Sequence, residues 1–284
     1  MKQPLTVANS NLNQSFGTLL KQWRNQRGFS QLDLAVMSQV SQRHISFLES
    51  GRAKPSREMV LQLATVLEIP LRQQNLMLTT AGFAPIHTET DIMAPEMTSI
   101  RRAIDFMLQK HEPLPAIVVD RYWNLILANN AGTRLLTTFI DADKLQRTFY
   151  VDGKINLMRV VFHSQGLRPF IVSWEDFARH LLQRLHREAL AEGESELSTA
   201  LLKELMSYPG VSEIWHTSNQ TPNQTPQNSL LLSIHLKKND LELQFFSTIA
   251  TLGTPYDITL QELRIECLFP ADEATEHNWQ QLVK

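Results

Sequence analysis

The feature of this sequence that most restricts its fold is a pair of helix start signals, Ser30 and Ser41, that lie close together in the chain. Each serine precedes a short run of apolar residues at helical spacing, and a serine side chain in that place accepts a hydrogen bond from the first free amides of a helix. Gly51 follows the second run and marks a helix end. Two helices this short bury too little surface to be stable alone. We therefore expect them to pack on each other across a tight turn, and on further helices.

More helices are indicated on both sides of this pair. Apolar residues recur at helical spacing over Phe16–Trp23 and Met59–Leu67, and Ser56 and Pro70 mark two further helix starts. The pattern predicts an all-α domain of five helices over residues 15–80.

Two segments without a regular pattern flank this domain. Residues 1–14 are rich in Asn, Gln and Ser and lack the apolar core of a signal peptide, which predicts a flexible arm. Residues 81–97 contain Pro85 and Pro95 without sustained periodicity, which predicts a linker. The rest of the chain, residues 98–284, is then a second domain.

The second domain combines helical and β patterns. Helical spacing is found over Ile100–Leu108, Asn130–Ile140, Ile155–His163, Ser173–Leu190 and Glu196–Tyr208. The β-like runs are Ala116–Val119 and Leu125–Leu127, which suggest a hairpin, and then Leu230–Leu236, Leu241–Leu252 and Ile258–Phe269. We predict an α+β domain with an antiparallel sheet.

The two predicted domains differ in the sign of their charge. Residues 1–85 carry nine Lys and Arg against four Asp and Glu, and the remaining residues carry 18 against 25. A basic N-terminal domain on an acidic body favours a polyanion partner for the first domain only, because basic side chains near phosphates release bound counterions.

The segment Leu34–Arg52, followed by Pro55 and Ser56, resembles the phage-repressor (Xre-like) helix-turn-helix. Ala35 is small enough for two helices to approach, and Val40 fills the turn. Gln39 departs from the family pattern, which has Gly at a turn position of positive φ.

The resemblance assigns roles to polar residues of this segment. On the outer face of the second helix, four side chains are candidates to reach base edges of double-stranded operator DNA: Gln42, Arg43, His44 and Ser46. Four others are implied as phosphate contacts that set the register: Gln31, Arg52, Lys54 and Ser56. Any one of them, taken alone, is more typical of a solvated helix surface, and it is the ordered motif that favours DNA contacts.

The second domain also resembles a known family. Pro115–Ala131 is similar to the opening strand, turn and strand of a PAS-like sensor, and Asn156–Phe162 with Trp174–Ala178 resembles the MmyB-like regulators. The stretch Gly166–Val172 departs from that family's pattern. The resemblance implies a PAS-like pocket that takes fatty acids or similar small apolar molecules.

Five residues are candidates to contact such a ligand: Trp123, Asn129, Met158, Arg159 and Phe162. Each has a structural alternative, since Met158 and Phe162 fit an ordinary core and Trp123 and Asn129 fit turn or strand-end roles. Arg159 fits a ligand carboxylate, an internal salt bridge or a surface position.

Other functional classes find little support in the sequence. Histidines are scattered, and no metal-ligand spacing, nucleophile elbow or phosphate-binding glycine loop is present, so no cofactor, metal or enzymatic activity is expected. Cys267 is the single cysteine, and no apolar stretch approaches the ~20 residues of a membrane span.

We expect a cytoplasmic, homodimeric, ligand-responsive transcription regulator. An enzymatic second domain and a pure protein-interaction module remain the alternatives.

Overall fold

The computed structural model describes residues 15–151, 153–191, 196–220 and 233–284. The arm predicted for residues 1–14 lies outside the described residues. The chain divides into two compact units. The first runs through Glu89 and includes Tyr256–Gln261, and the second comprises Thr90–Pro255 and Glu262–Lys284.

The first unit contains the five predicted helices, which confirms the all-α prediction. They are α1 (Phe16–Gln26), α2 (Gln31–Ser38), α3 (Gln42–Glu49), α4 (Arg57–Val66) and α5 (Leu71–Thr80). Serine side chains cap the first four of them, namely Ser15, Ser30, Ser41 and Ser56. Each accepts a hydrogen bond from a backbone amide of its helix, which is why helices this short begin where the sequence predicts.

Apolar faces of these helices enclose one core. Its fully buried members include Leu20, Leu34, Ile45 and Leu63. Helix α1 approaches α3 closely at Gly17, where a Cβ atom would lie less than 3.0 Å from backbone atoms of Leu48 and Glu49.

The second unit is α+β, as predicted. Its helices are α6 (Thr98–His111), α7 (Asn130–Phe139), α8 (Ala142–Lys144), α9 (Leu157–Phe162), α10 (Trp174–Ala191), α11 (Glu196–Met206), α12 (Val211–Gln220) and α14 (Glu273–Val283). The short helix α13 (Ile258–Glu262) precedes the last strand in the chain, and all but its final residue belong to the first unit. Its strands are β1 (Ala116–Val119), β2 (Leu125–Ala128), β3 (Tyr150–Val151), β4 (Lys154–Ile155), β5 (Ser233–Lys238), β6 (Leu241–Ala250) and β7 (Arg264–Pro270).

Five strands form an antiparallel sheet in the order β2-β1-β7-β6-β5. The hairpin of β1 and β2 therefore lies beside β7, the last strand of the chain. Val118 pairs with Leu127 and Ile265, and Phe246 pairs with Phe269.

The prediction of one strand over Ile258–Phe269 is wrong for its first residues. Ile258–Glu262 form α13, whose start is capped by Asp257: its Oδ1 accepts a hydrogen bond from the Thr259 amide at 2.9 Å. The strand begins only at Arg264. The first part of the strand predicted over Leu230–Leu236 lies outside the described residues.

Candidate DNA-binding surface and ligand cavity

The turn between α2 and α3 has the geometry of a helix-turn-helix. Gln39 ends α2 with φ 54° and ψ 34°, the left-handed conformation in which a residue other than Gly is strained. The Val40 amide donates to Ala35 O at 3.0 Å, which satisfies the last turn of α2.

A capping box fixes the start of α2. The Ser30 side chain accepts from the Asp33 amide, and Asp33 Oδ2 accepts from the Ser30 amide at 2.8 Å. These hydrogen bonds from Ser30 lower the pKa of the Asp33 carboxyl group. The two reciprocal hydrogen bonds therefore fix the residue at which α2 begins.

The outward side of α3 carries the predicted base-reading residues. Gln42 and Arg43 are exposed, whereas His44 and Ser46 are half-buried. Arg43 lies over the Phe47 ring at 5.2 Å, and Arg52 lies over the same ring at 5.9 Å. The Phe47 ring thus contacts two guanidinium groups on this surface.

The predicted phosphate contacts have different surroundings. Arg52 and Lys54 are exposed. Ser56 already caps α4, because its Oγ accepts from the Met59 amide at 3.2 Å. Gln31 donates from Nε2 to Glu49 Oε2 at 2.8 Å, so its side-chain amide braces α2 against the end of α3. All eight DNA-binding assignments remain predictions.

The second unit contains a cavity of about 470 Å³. It lies between one face of the sheet and the helices α7, α9 and α10. Aliphatic and aromatic side chains supply most of its lining, among them Leu135, Met158, Val160, Leu236, Phe245 and Leu268. A volume of this size lies within the range of small-molecule sites.

Polar groups also contribute to the lining. They include Arg184 and Arg187 of α10, Ser247 of β6 and Glu266 of β7. Ser247 Oγ lies 2.6 Å from Glu266 Oε1, to which it donates. Such a lining can enclose an apolar body while it contacts a polar end.

Trp123 borders the cavity in a strained turn, with φ 66°. Its Nε1 donates to Glu188 Oε2 at 3.2 Å, and the Arg184 guanidinium lies 4.4 Å from the ring centre. Arg264 also donates to Glu188 Oε2, at 2.6 Å. Charged neighbours thus hold the indole against the cavity.

The predicted ligand residues fall into two groups. Trp123 and Met158 line the cavity, whereas Asn129, Arg159 and Phe162 are not part of its lining. Asn129 caps α7, with Oδ1 accepting from the Gly132 amide at 2.7 Å. Arg159 forms the internal salt bridge, with Nε 2.8 Å from Glu204 Oε1.

Phe162 is fully buried, and its ring packs edge-on against Trp174 at 5.2 Å.

Sequence reasoning missed Arg184 and Arg187, because charged residues of a long helix usually face solvent. The available signal was their spacing from Phe177 and Leu181, which places all four on one side of α10.

Other kinds of site receive no support from the described residues. Within them, no group of three or more His, Cys, Asp or Glu side chains is placed to hold a metal ion. No described helix is both long enough and apolar enough to cross a bilayer. Cys267 is partly buried in β7, and this burial raises the pKa of its thiol.

Comparisons with known proteins give two family matches. The model described as "MmyB-like transcription regulator ligand binding domain" matches residues 100–282, and the model described as "Helix-turn-helix" matches residues 20–74. No curated protein matches the chain. One solved structure, described as "Structure of an RNA-binding Light-Oxygen-Voltage Receptor", is similar at 15% identity with a TM-score of 0.27. The match covers 96% of this chain and 62% of that chain, so this chain spans less than two thirds of that chain's length.

Proposed function

The chain belongs to the MmyB-like transcription regulators, and from this we propose that it binds operator DNA through α3 and responds to a small apolar ligand in the cavity of its second unit. The observation that carries the proposal is the apolar cavity of about 470 Å³. A protein-interaction module needs no internal space of this kind, whereas a ligand sensor does.

DNA recognition is proposed to divide between two sets of residues in the first unit. Gln42, Arg43, His44 and Ser46 contact base edges in the major groove, since Gln and Arg pair bidentately with adenine and guanine. Gln31, Arg52, Lys54 and Ser56 contact phosphates and set the register.

Two copies of the chain are proposed to act together in the cytoplasm. A single helix-turn-helix unit buries little DNA surface, and a homodimer reads two half-sites about one helical turn apart. Analytical ultracentrifugation gives the mass in solution, and an inverted repeat among selected DNA fragments would support the dimer. A monomer that binds a single half-site contradicts it.

Fatty acids are the ligand class that we propose for the cavity. Support comes from the volume of the cavity and from its aliphatic and aromatic lining, to which Leu135 and Leu268 contribute. Of the five predicted contact residues, Trp123 and Met158 line the cavity, which supports the proposal that they touch such a ligand.

Native mass spectrometry of the full chain after incubation with a lipid extract tests the ligand proposal. We expect a bound species of a few hundred daltons. Ile117→Phe and Val161→Phe each narrow the cavity and should abolish this binding. Thermal melts of both variants serve as the folding control. No bound species would favour an interaction module, and turnover of a bound molecule would favour an enzyme.

A further inference from the structure

The side of α10 that faces the cavity changes from apolar to basic along its length. Phe177 and Leu181 are followed by Arg184 and Arg187, and all four line the cavity. At 1.5 Å per residue, the distance from Phe177 to Arg187 along the helix is about 15 Å. The cavity therefore has an apolar body and a cationic end.

The cationic end is also the end that opens to solvent. On β6 the lining proceeds from Phe245, which is fully buried, to Ile249, which is 40% exposed. Ile249 pairs with Glu266 of β7. Two residues before Glu266, Arg264 donates to Glu188, which neighbours Arg187 in the chain. Sheet and helix thus bring their charges to the same opening.

Among the residues that the structure describes, the charges around this opening do not balance. Three guanidinium groups, those of Arg184, Arg187 and Arg264, accompany two carboxylates, those of Glu188 and Glu266. One positive charge is in excess, which matches a ligand that carries a single negative charge.

Hydrogen-bond donors remain available on two of these arginines. Arg184 uses Nε for Glu188 Oε1, at 2.9 Å. Within the part of the chain that the structure describes, no hydrogen bond from the terminal amino groups of Arg184 or from Arg187 is found. His180, another polar group of the lining, has Nδ1 2.7 Å from Asp176 O in its own helix.

We propose that this opening is a carboxylate-binding subsite, in which Arg187 and the terminal amino groups of Arg184 hold the acid head of the ligand. The inference rests on the proposed ligand-sensing function. It adds that the protein recognises the acid end of the ligand through Arg184 and Arg187. The apolar tail points toward Phe245 and Met158. Guanidinium–carboxylate hydrogen bonds are charge-assisted, so an acid binds more tightly than a neutral molecule with the same tail.

Calorimetric titration of the full chain with dodecanoate, methyl dodecanoate and 1-dodecanol tests this proposal, because the three share one tail. We expect dodecanoate to bind at least about tenfold more tightly than the other two. Arg187→Gln should abolish most of this preference while leaving binding of the alcohol unchanged. Arg187 is exposed, so the substitution leaves the core intact.

Arg179→Gln is the matched control, since Arg179 lies on the same helix, pairs with Asp176 and does not line the cavity. It should leave all three affinities unchanged. Equal binding of the three compounds overturns the carboxylate subsite and leaves the cavity as a ligand site. Binding of none of them overturns the proposed ligand class as well. A preference for dodecanoate that survives Arg187→Gln overturns the residue assignment.

Discussion

Arg24 and Glu49 form an ion pair in the interior of the first unit, with Nε 2.6 Å from Oε1 and side-chain exposures of 9% and 4%. The pair joins α1 to the last residue of α3. Arg24 also donates from NH1 to Phe29 O at 2.7 Å, and Gln31 donates to the same carboxylate at 2.8 Å. Both charges are thus surrounded by hydrogen-bond partners, and the position of α3 depends on them.

Glu49→Gln is expected to lower the free energy of unfolding of the first unit by about 3–5 kcal/mol, because it leaves the Arg24 guanidinium buried without a counter-charge. Urea denaturation followed by circular dichroism measures the change. Glu89→Gln is the control, since its pair with Arg72 is solvent-exposed and is expected to contribute about 1 kcal/mol or less. Similar losses from both substitutions would contradict this role of the buried pair.

Gln39→Gly is expected to raise the free energy of unfolding by roughly 1 kcal/mol. Gln39 has φ 54°, and the left-handed conformation costs a residue with a Cβ atom about that much more than it costs Gly. Differential scanning calorimetry would show a higher Tm. Gln39→Ala retains the Cβ atom and should give no gain, so a gain from Ala equal to that from Gly would refute the explanation.

Arg43→Ala and Lys54→Ala are expected to weaken DNA binding in different ways. Loss of a bidentate base contact at Arg43 should reduce discrimination between sequences by about 1–3 kcal/mol. Loss of a phosphate contact at Lys54 should weaken binding to all sequences and flatten its salt dependence. Fluorescence anisotropy over a salt series separates the two effects. The same profile for both variants is incompatible with the proposed roles.

The second unit is expected to lose stability in alkaline solution through Tyr208. Burial, and then the charge and hydrogen bond of Glu204, raise the pKa of Tyr208 to about 12 from an ordinary value of 10.0. The folded state therefore holds this proton more tightly than the unfolded state. Its contribution is complete below about pH 10 and is lost as the pH rises from there toward 12.

Denaturation at a series of alkaline pH values measures this loss. Tyr208→Phe should show a smaller decrease in the free energy of unfolding over that interval than the unsubstituted chain. Tyr256→Phe, at a tyrosine that is 88% exposed, is the control. Identical slopes for the chain and for Tyr208→Phe would argue against the raised pKa.

The helices of the first unit were predictable because their signals are local. The side chains of Ser30 and Ser41 each accept a hydrogen bond from an amide three residues further along the chain. The apolar residues of each helix recur within one or two helical turns. The helix α13 was not predictable in this way. Alternating Ile258 and Leu260 resemble a strand, and the hydrogen bond from Thr259 to Asp257 that starts the helix competes with that pattern.

The cavity was less predictable because the roles of the polar residues depend on contacts with residues that are distant in the sequence. Arg159 is separated by 45 residues from Glu204, its partner, and a sequence pattern does not reveal that pairing. Arg184 and Arg187 resemble a solvated helix face until the sheet is placed opposite them. The apolar turn that Met158 shares with its neighbours indicates an interior position, and the residue lines the cavity. Asn129 fitted a ligand contact or a strand-end role from the sequence, and the structure shows that it caps α7.

Occupancy of the cavity is expected to change DNA binding by the first unit. Selection of genomic DNA fragments by the whole chain, followed by titration of the enriched sequence with and without dodecanoate, tests this coupling most directly. We predict an enriched inverted repeat whose affinity changes by about fivefold or more when dodecanoate is present. An affinity that stays the same while dodecanoate is bound would contradict the claim.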